Sequence, residues 1–356
     1  IPKLPEVEEY SAYCYTGMFE GCTELTSIPA TLLPATTLAT YCYRDMFMNC
    51  SNLATIEGIS SSNRLIKSST MKDYCCENMF NGTALSSINT GCIFYNYSTL
   101  AQGCFCGMFA NCVSLVSIDD GIFPTSSSSP VAECYKNMFK NCVALQTAPK
   151  LNATTIQTNS YESMFEGCVE LINAPTFNSG YITLKENSCK NMFKGCIKLA
   201  IAPVMDIRSV AANCCANMFE GCSLLNSTPT LSALTLYVGC YSEMFKDCVA
   251  LETAPTLNST NLAENCYFGM FRGCTSLATA SLNATSTTQL YKGCYAEMFD
   301  GCEALETAPT LNSTKLAENC YAAMFRGCVD LIEAPELSAM TLAKDGATVC
   351  IFDLDA

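Results

Sequence analysis

Hydrophobic positions along this chain recur with a long period. The dipeptide Met-Phe stands at 18, 46, 79, 108, 138, 164, 192, 218, 244, 270, 298 and 324, most often 26 residues apart. Repetition at such a period marks a solenoid, in which each repeat is one coil stacked on the next. One regular unit reads Asn265-Cys266-Tyr267-Phe268-Gly269-Met270-Phe271-Arg272-Gly273-Cys274-Thr275-Ser276-Leu277. Apolar residues four and three before Met, then Met and Phe, fall on one face of a helix. The third residue after Met is Gly, Asn or Asp in every repeat. These types accept the left-handed backbone that closes a helix. The pattern therefore predicts a short helical turn from Cys to Phe, stopped at the same place in each coil. The Leu seven residues after Met (Leu25, Leu53, Leu115, Leu251) then opens a short strand, with Leu85 displaced by a one-residue deletion. Pro follows in eight repeats, Pro29, Pro149 and Pro255 among them. It cannot donate to a ladder, so the parallel strand is expected to end there.

Length alone, 356 residues, would suggest two or three ordinary domains, but a solenoid grows by adding coils. The formal charge of −14 argues against a nucleic-acid partner, which needs clustered Lys and Arg. No apolar stretch approaches the ~18 residues of a membrane span, so membrane insertion of this segment is not expected. The chain has no His, which excludes Ser-His-Asp and Cys-His catalysis and His-containing zinc sites. Its glycines fall about one per coil and form no phosphate loop, and no motif calls for a cofactor. A carboxylate pair could still serve a glycosidase, yet the acidic residues sit mostly at variable columns and no constellation stands out. The chain is accordingly read as a non-enzyme.

The column pattern Met-Phe-x-[Gly/Asn]-Cys-x-x-Leu-x-x-[Ile/Ala]-Pro resembles the BspA-type leucine-rich repeats of bacterial surface proteins, in a Met-Phe variant. The resemblance runs from Cys14 to Leu342. It implies a leucine-rich-repeat-like solenoid of about twelve coils, with short parallel strands on one face and short helical turns on the other. It also implies a cell-surface or secreted location and adhesion to host or bacterial surface protein or glycan. The solenoid is expected over 1–346, with a C-terminal cap strand at 347–356. Ile1-Pro2-Lys3-Leu4 echoes Ala254-Pro255-Thr256-Leu257. The expectation is therefore that natural sequence carrying a signal or anchor lies upstream. The competing role is a structural spacer that projects another domain from the surface.

Twenty-seven Cys depart from the common pattern. Most lie in two columns, four residues before Met and four after it, as Cys240 and Cys248 do. Disulfides, thiolate metal sites and small buried apolar residues compete as explanations. Bonded columns should be lost together, yet Ser160 and Ser188 replace the first while Cys168 and Cys196 remain. The third repeat keeps Cys75 and reads as having deleted the second position. Metal ligation favours tighter spacing. Buried free thiols fit best.

Length variation concentrates between the strand and the next turn. Ala254 to Cys266 spans 12 residues, whereas Ile56 to Cys75 spans 19, and Ile88 to Cys104 and Ile118 to Cys134 span 16 each. Insertions at one point of a repeat emerge on one edge, and such edges often bind. This edge of coils two to four carries the candidate contact residues Arg64, Phe94, Tyr95, Tyr97, Asp119, Asp120, Ile122 and Phe123. The other reading of these aromatics is that they pack the longer loops down. The residue two after Met alternates in sign over much of its column (Lys140, Glu166, Lys194, Glu220, Lys246, Arg272, Asp300, Arg326), which predicts an exposed ion-pair ladder.

Overall fold

The Cys-to-Cys segment of each coil is a run of tight turns and not a helix. The computed structural model describes residues 11–60, 62–88, 93, 99–123, 130–177, 181–282, 289–335 and 337. Every fourth residue of the segment has a positive φ, as at Asn213, Asn217 and Gly221, or Gly239, Glu243 and Asp247. The same three positions recur in all twelve Met-Phe repeats. Within a coil, Met244 N donates to Tyr241 O (3.2 Å) and Cys248 N to Phe245 O (3.1 Å). A positive φ on the third residue of such a four-residue turn is the type II arrangement. The intervening amides point along the stack. Tyr241 N reaches Cys266 O (3.0 Å), Glu243 N Phe268 O (2.7 Å), Phe245 N Met270 O (2.9 Å) and Asp247 N Arg272 O (2.7 Å).

This geometry corrects the helical expectation. Residues four before Met, at Met and four after it share the interior because the turn repeats every four residues, not because a helix repeats every 3.6. The left-handed Gly, Asn or Asp three after Met is present as expected. Two further left-handed columns precede it.

The chain divides into two units, Ile1–Asn178 and Ser179–Ala356, each a parallel solenoid of six Met-Phe coils. In the first, β1 (Ser27–Pro29) pairs with β2 (Thr55–Glu57) and β3 (Ser87–Ile88) with β4 (Ser117–Ile118), and β5 covers Thr155–Ile156. In the second, β6 (Tyr181–Leu184), β7 (Asp206–Ser209) and β8 (Thr230–Leu231) pair in parallel in that order. β1 ends at Pro29 as expected. In the second unit bridges stand on both sides of Pro255: Thr253 pairs with Thr279 before it and Leu257 with Leu282 after it. Pro has no donor for the interval between them. The proposed cap at 347–356 lies outside the described residues.

The core is a set of one-residue columns. Met and Phe of the inner coils are fully buried, as are Leu225, Leu251 and Leu277. Phe rings stack coil on coil: Phe19 to Phe47 at 5.5 Å and Phe80 to Phe109 at 5.7 Å in the first unit. In the second unit Phe219 stands 5.5 Å from Phe245, and Phe245 5.7 Å from Phe271. Tyr267 stacks on Tyr241 and Tyr295 beside them.

The thiols have a structural task. All cysteines among the described residues are free, and most are buried. In the second column most S–H groups donate to the Phe carbonyl of the preceding coil: Cys248 to Phe219 O and Cys222 to Phe193 O at 3.1 Å, Cys274 to Phe245 O at 3.0 Å. That carbonyl also accepts an amide of its own coil, so the thiol occupies its second lone pair. The third repeat corrects the sequence reading here. Thr83 stands in the second Cys column, buried, with its hydroxyl donating to Phe80 O at 2.9 Å. The deletion therefore falls after this position, and a hydroxyl replaces the thiol just as Ser160 and Ser188 do in the first column. Alkylation of denatured, unreduced protein is expected to modify most of the 27 Cys by mass. Nine or more disulfides would contradict this account.

Candidate binding surfaces

On the insertion edge, the loop of the second coil folds on itself. Ser60 and Asn63 exchange backbone bonds of 3.1 and 3.0 Å, and the Asn63 side-chain amide donates to Gly58 O at 2.7 Å. Leu65, Ile66 and Met71 are buried beneath it, and Arg64 is half-buried. In the fourth coil a 3-10 turn spans Asp120–Ile122. It exposes Asp119 and Asp120, and Asp120 Oδ1 accepts Lys150 N at 3.1 Å. Ile122 and Phe123 are buried, and Phe123 packs edge-on against Tyr135 at 4.7 Å. These two side chains hold the loop down, because a loop of this length needs apolar anchors to stay ordered. Phe94, Tyr95 and Tyr97 lie outside the described residues.

The charged column forms an ion-pair ladder, but most of its side chains are half-buried where the sequence predicts them exposed. Lys140 meets Glu166 at 3.1 Å, and Lys194 and Lys246 both meet Glu220, at 2.6 and 3.1 Å. Arg326 pairs with Asp300. A neighbouring left-handed column joins it, for Arg272 binds both Glu243 (2.7 Å) and Glu297 (2.6 Å). The carboxylates sit deeper than the cations: Glu220 is 13% exposed and Lys194 40%. Burial pushes the Glu220 carboxyl up, but the two lysines more than offset it and hold it below its ordinary value. Each exposed pair contributes only about 0–1 kcal/mol.

A second surface, in the second unit, was not anticipated. Leu234, Tyr237 and Val238 are half or more exposed. The coil after theirs has Thr260, Ala263 and Glu264 at the same positions, a register fixed by the Thr235–Asn261 bridge. Val204 is 91% exposed, where Pro229, Pro255 and Pro309 are each followed by Thr. Large apolar side chains thus replace small or polar ones at outward positions. Contiguous exposed apolar surface of this kind marks interaction sites. The signal lies in the residue types of these columns and not in loop length.

The groove beside this patch has a backbone cause. Ile182 pairs with Ile207 and Thr183 with Ser209, so Arg208 is an extra residue in β7. A bulge of this kind re-aims a side chain. The Arg208 guanidinium lies over the ring of exposed Tyr181, with Asp206 Oδ2 3.7 Å away. On the other edge of β7, Ile207 is level with Leu231, and Asn213 N bonds Val238 O at 2.9 Å. One coil therefore closes this arc with two residues fewer than the next and lies recessed. The resulting cavity of about 480 Å³ is lined by Arg208, Ser209, Val210, Ser232, Leu234, Thr235 and Tyr237.

No protein-family model matches the chain, and no curated protein sequence matches it. Two solved structures are similar. One is a leucine-rich repeat protein from Bacteroides ovatus ATCC 8483, at 19% identity and a TM-score of 0.48, covering 89% of this chain and 80% of that one. The other is a leucine rich cell surface protein from Faecalibacterium prausnitzii A2-165, at 14% identity and a TM-score of 0.33, covering 86% and 77% respectively. Among the described residues no helix is long and apolar enough to cross a membrane.

Proposed function

We propose that this chain is a non-catalytic recognition module of the BspA-like kind, held at a cell surface or secreted, that engages a host or bacterial surface protein or glycan. The observation that carries the reading is the change of exposed columns in the second unit from Thr, Ala and Glu to Leu234, Tyr237 and Val238. Nothing in the ladder requires it, since the coils with Thr260 and Thr314 at the first of these positions stack equally well. Apolar side chains clustered at outward positions beside a groove are the arrangement that interaction sites show. The insertion edge, through Arg64, Asp119 and Asp120, is the second proposed contact.

The test restores the regular residues. A chain carrying Leu234→Thr, Tyr237→Ala and Val238→Glu should melt at the same temperature as the parent. It should lose about tenfold or more in binding to immobilised extracellular-matrix proteins or surface glycans, as removal of a contact hot spot does. A parallel Asp119→Asn, Asp120→Asn variant assays the insertion edge. Were the parent itself to bind neither class of surface, the spacer role would replace recognition.

A further inference from the structure

We infer that the groove at Arg208 and Tyr237 is a saccharide-binding site, whose ligand is an extended glycan chain running along the stack towards Tyr291. This rests on the recognition reading above and names the ligand class.

The lining argues for a sugar. It offers one aromatic face (Tyr237), two aliphatic groups (Val210, Leu234), three hydroxyls (Ser209, Ser232, Thr235) and one guanidinium, with no carboxylate among the lining residues. The nearest carboxylate is that of Asp206, 3.7 Å from the Arg208 guanidinium. A sugar ring presents the same mixture: a C–H face that lies on an aromatic ring and a rim of hydroxyls that exchange hydrogen bonds. The volume falls in the ordinary range of small-ligand sites, about 300–1,000 Å³. A peptide adding as a strand would need a row of free backbone groups. Here Ser232 N already donates to Ile207 O at 2.9 Å, Leu236 N to Asn261 O at 2.8 Å and Gly239 N to Glu264 O at 3.0 Å. Recognition must therefore come from side chains.

A second exposed tyrosine extends the site. Tyr237 and Tyr291 both stand seven residues before their Met, two coils apart, with small Ala263 between them. Both rings are exposed, at 52% and 44%. Two ladder steps separate them by about 10 Å. Ala263 leaves the line between them open, so a chain in contact with Tyr237 can reach Tyr291 without leaving the surface. The bulge then makes sense as the device that turns Arg208 outward at the groove end. There its guanidinium lies on Tyr181 beside Asp206, and the donors that remain can bind vicinal hydroxyls or a sugar carboxylate.

The experiment uses the full chain on an array of mammalian and microbial glycans, followed by calorimetry with the best-bound hexasaccharide and its trisaccharide. At least one glycan should bind. Tyr237→Ala and Arg208→Ala should each weaken binding about tenfold or more at an unchanged melting temperature. Tyr291→Ala should weaken the hexasaccharide and leave the trisaccharide unaffected. Arg208→Lys separates fork from charge: retained binding to acidic glycans alone would assign Arg208 to a carboxylate, and loss of all binding to paired hydroxyls. Glycan binding untouched by Tyr237→Ala and Arg208→Ala overturns the site. An array with no bound glycan, from a protein that still binds matrix proteins, overturns the ligand class and leaves recognition standing. Silence towards both sinks the recognition reading as well.

Discussion

Phe245→Ala is expected to destabilise the second unit by about 3–5 kcal/mol, the usual range for emptying a buried aromatic site. Phe245 is fully buried, with Phe219 and Phe271 stacked on its two faces at 5.5 and 5.7 Å. Removing the ring leaves both neighbours facing a void. The backbone prevents collapse, because Phe245 N and its flanking turn amides are bonded to the next coil at fixed ladder spacing. Coils in such an array depend on nearest neighbours, so the loss should spread to both sides. Urea unfolding should show the lower midpoint. Amide exchange should accelerate in the coils of Met218, Met244 and Met270. Phe245→Leu refills most of the volume and should cost about 1–2 kcal/mol. A loss below 1 kcal/mol for the alanine variant would mean that the ring column closes up and is not the main support.

The columns that pack were legible in the sequence, and the backbone that carries them was not. Met, Phe, Leu and Cys recur at fixed offsets because each must meet its own kind one coil away, so their spacing reveals them. The turn run reads as helix in the sequence because inward positions spaced four apart fit both a helix and a four-residue turn. The discriminating residues were on the page: Asn213-Asn217-Gly221 and Asn265-Gly269-Gly273 place left-handed formers every four residues, which no helix tolerates. Tyr41, Tyr74, Glu243 and Ala323 hid that rule, since none of these types favours a positive φ. Their backbone is imposed by the ladder rather than by local propensity. The groove was hidden for another reason. It arises from a two-residue mismatch between paired arcs of equal-length repeats, and a repeat length of 26 residues conceals a bulge offset by a shortening. The insertion edge, in contrast, is visible as added length, and its described apolar side chains Ile122 and Phe123 turn inward.

The thiol columns should make the protein sensitive to alkali far more than to acid. Burial pushes the Cys222, Cys266 and Cys274 thiols in the second unit up to about 12, and those of Cys134 and Cys168 in the first unit likewise. Cys112 rises to about 11. Their ordinary value is 9.0, so unfolding above that pH releases protons that the folded chain retains. The unfolded state then binds fewer protons, and stability falls as pH rises. The contribution of each thiol is intact below pH 9 and is lost progressively between about 9 and 12. Each such thiol withdraws on the order of 1 kcal/mol per pH unit in that window. Several of them in one unit together withdraw a large part of the roughly 5–15 kcal/mol of an ordinary domain. Tyr267 and Tyr241, also raised by burial, act in the same direction. Thermal unfolding in reductant should therefore change little from pH 7 to 8.5 and collapse between 9 and 11. Cys222→Ser with Cys274→Ser should retain a donor towards the Phe carbonyls of the preceding coils, since a hydroxyl donates as a thiol does, while removing two ionisable groups. The pH slope at pH 10 should then correspond to about two protons fewer. A melting temperature that stays flat to pH 10.5, or a slope indifferent to the two serines, would show that the interior thiols are not what alkali attacks.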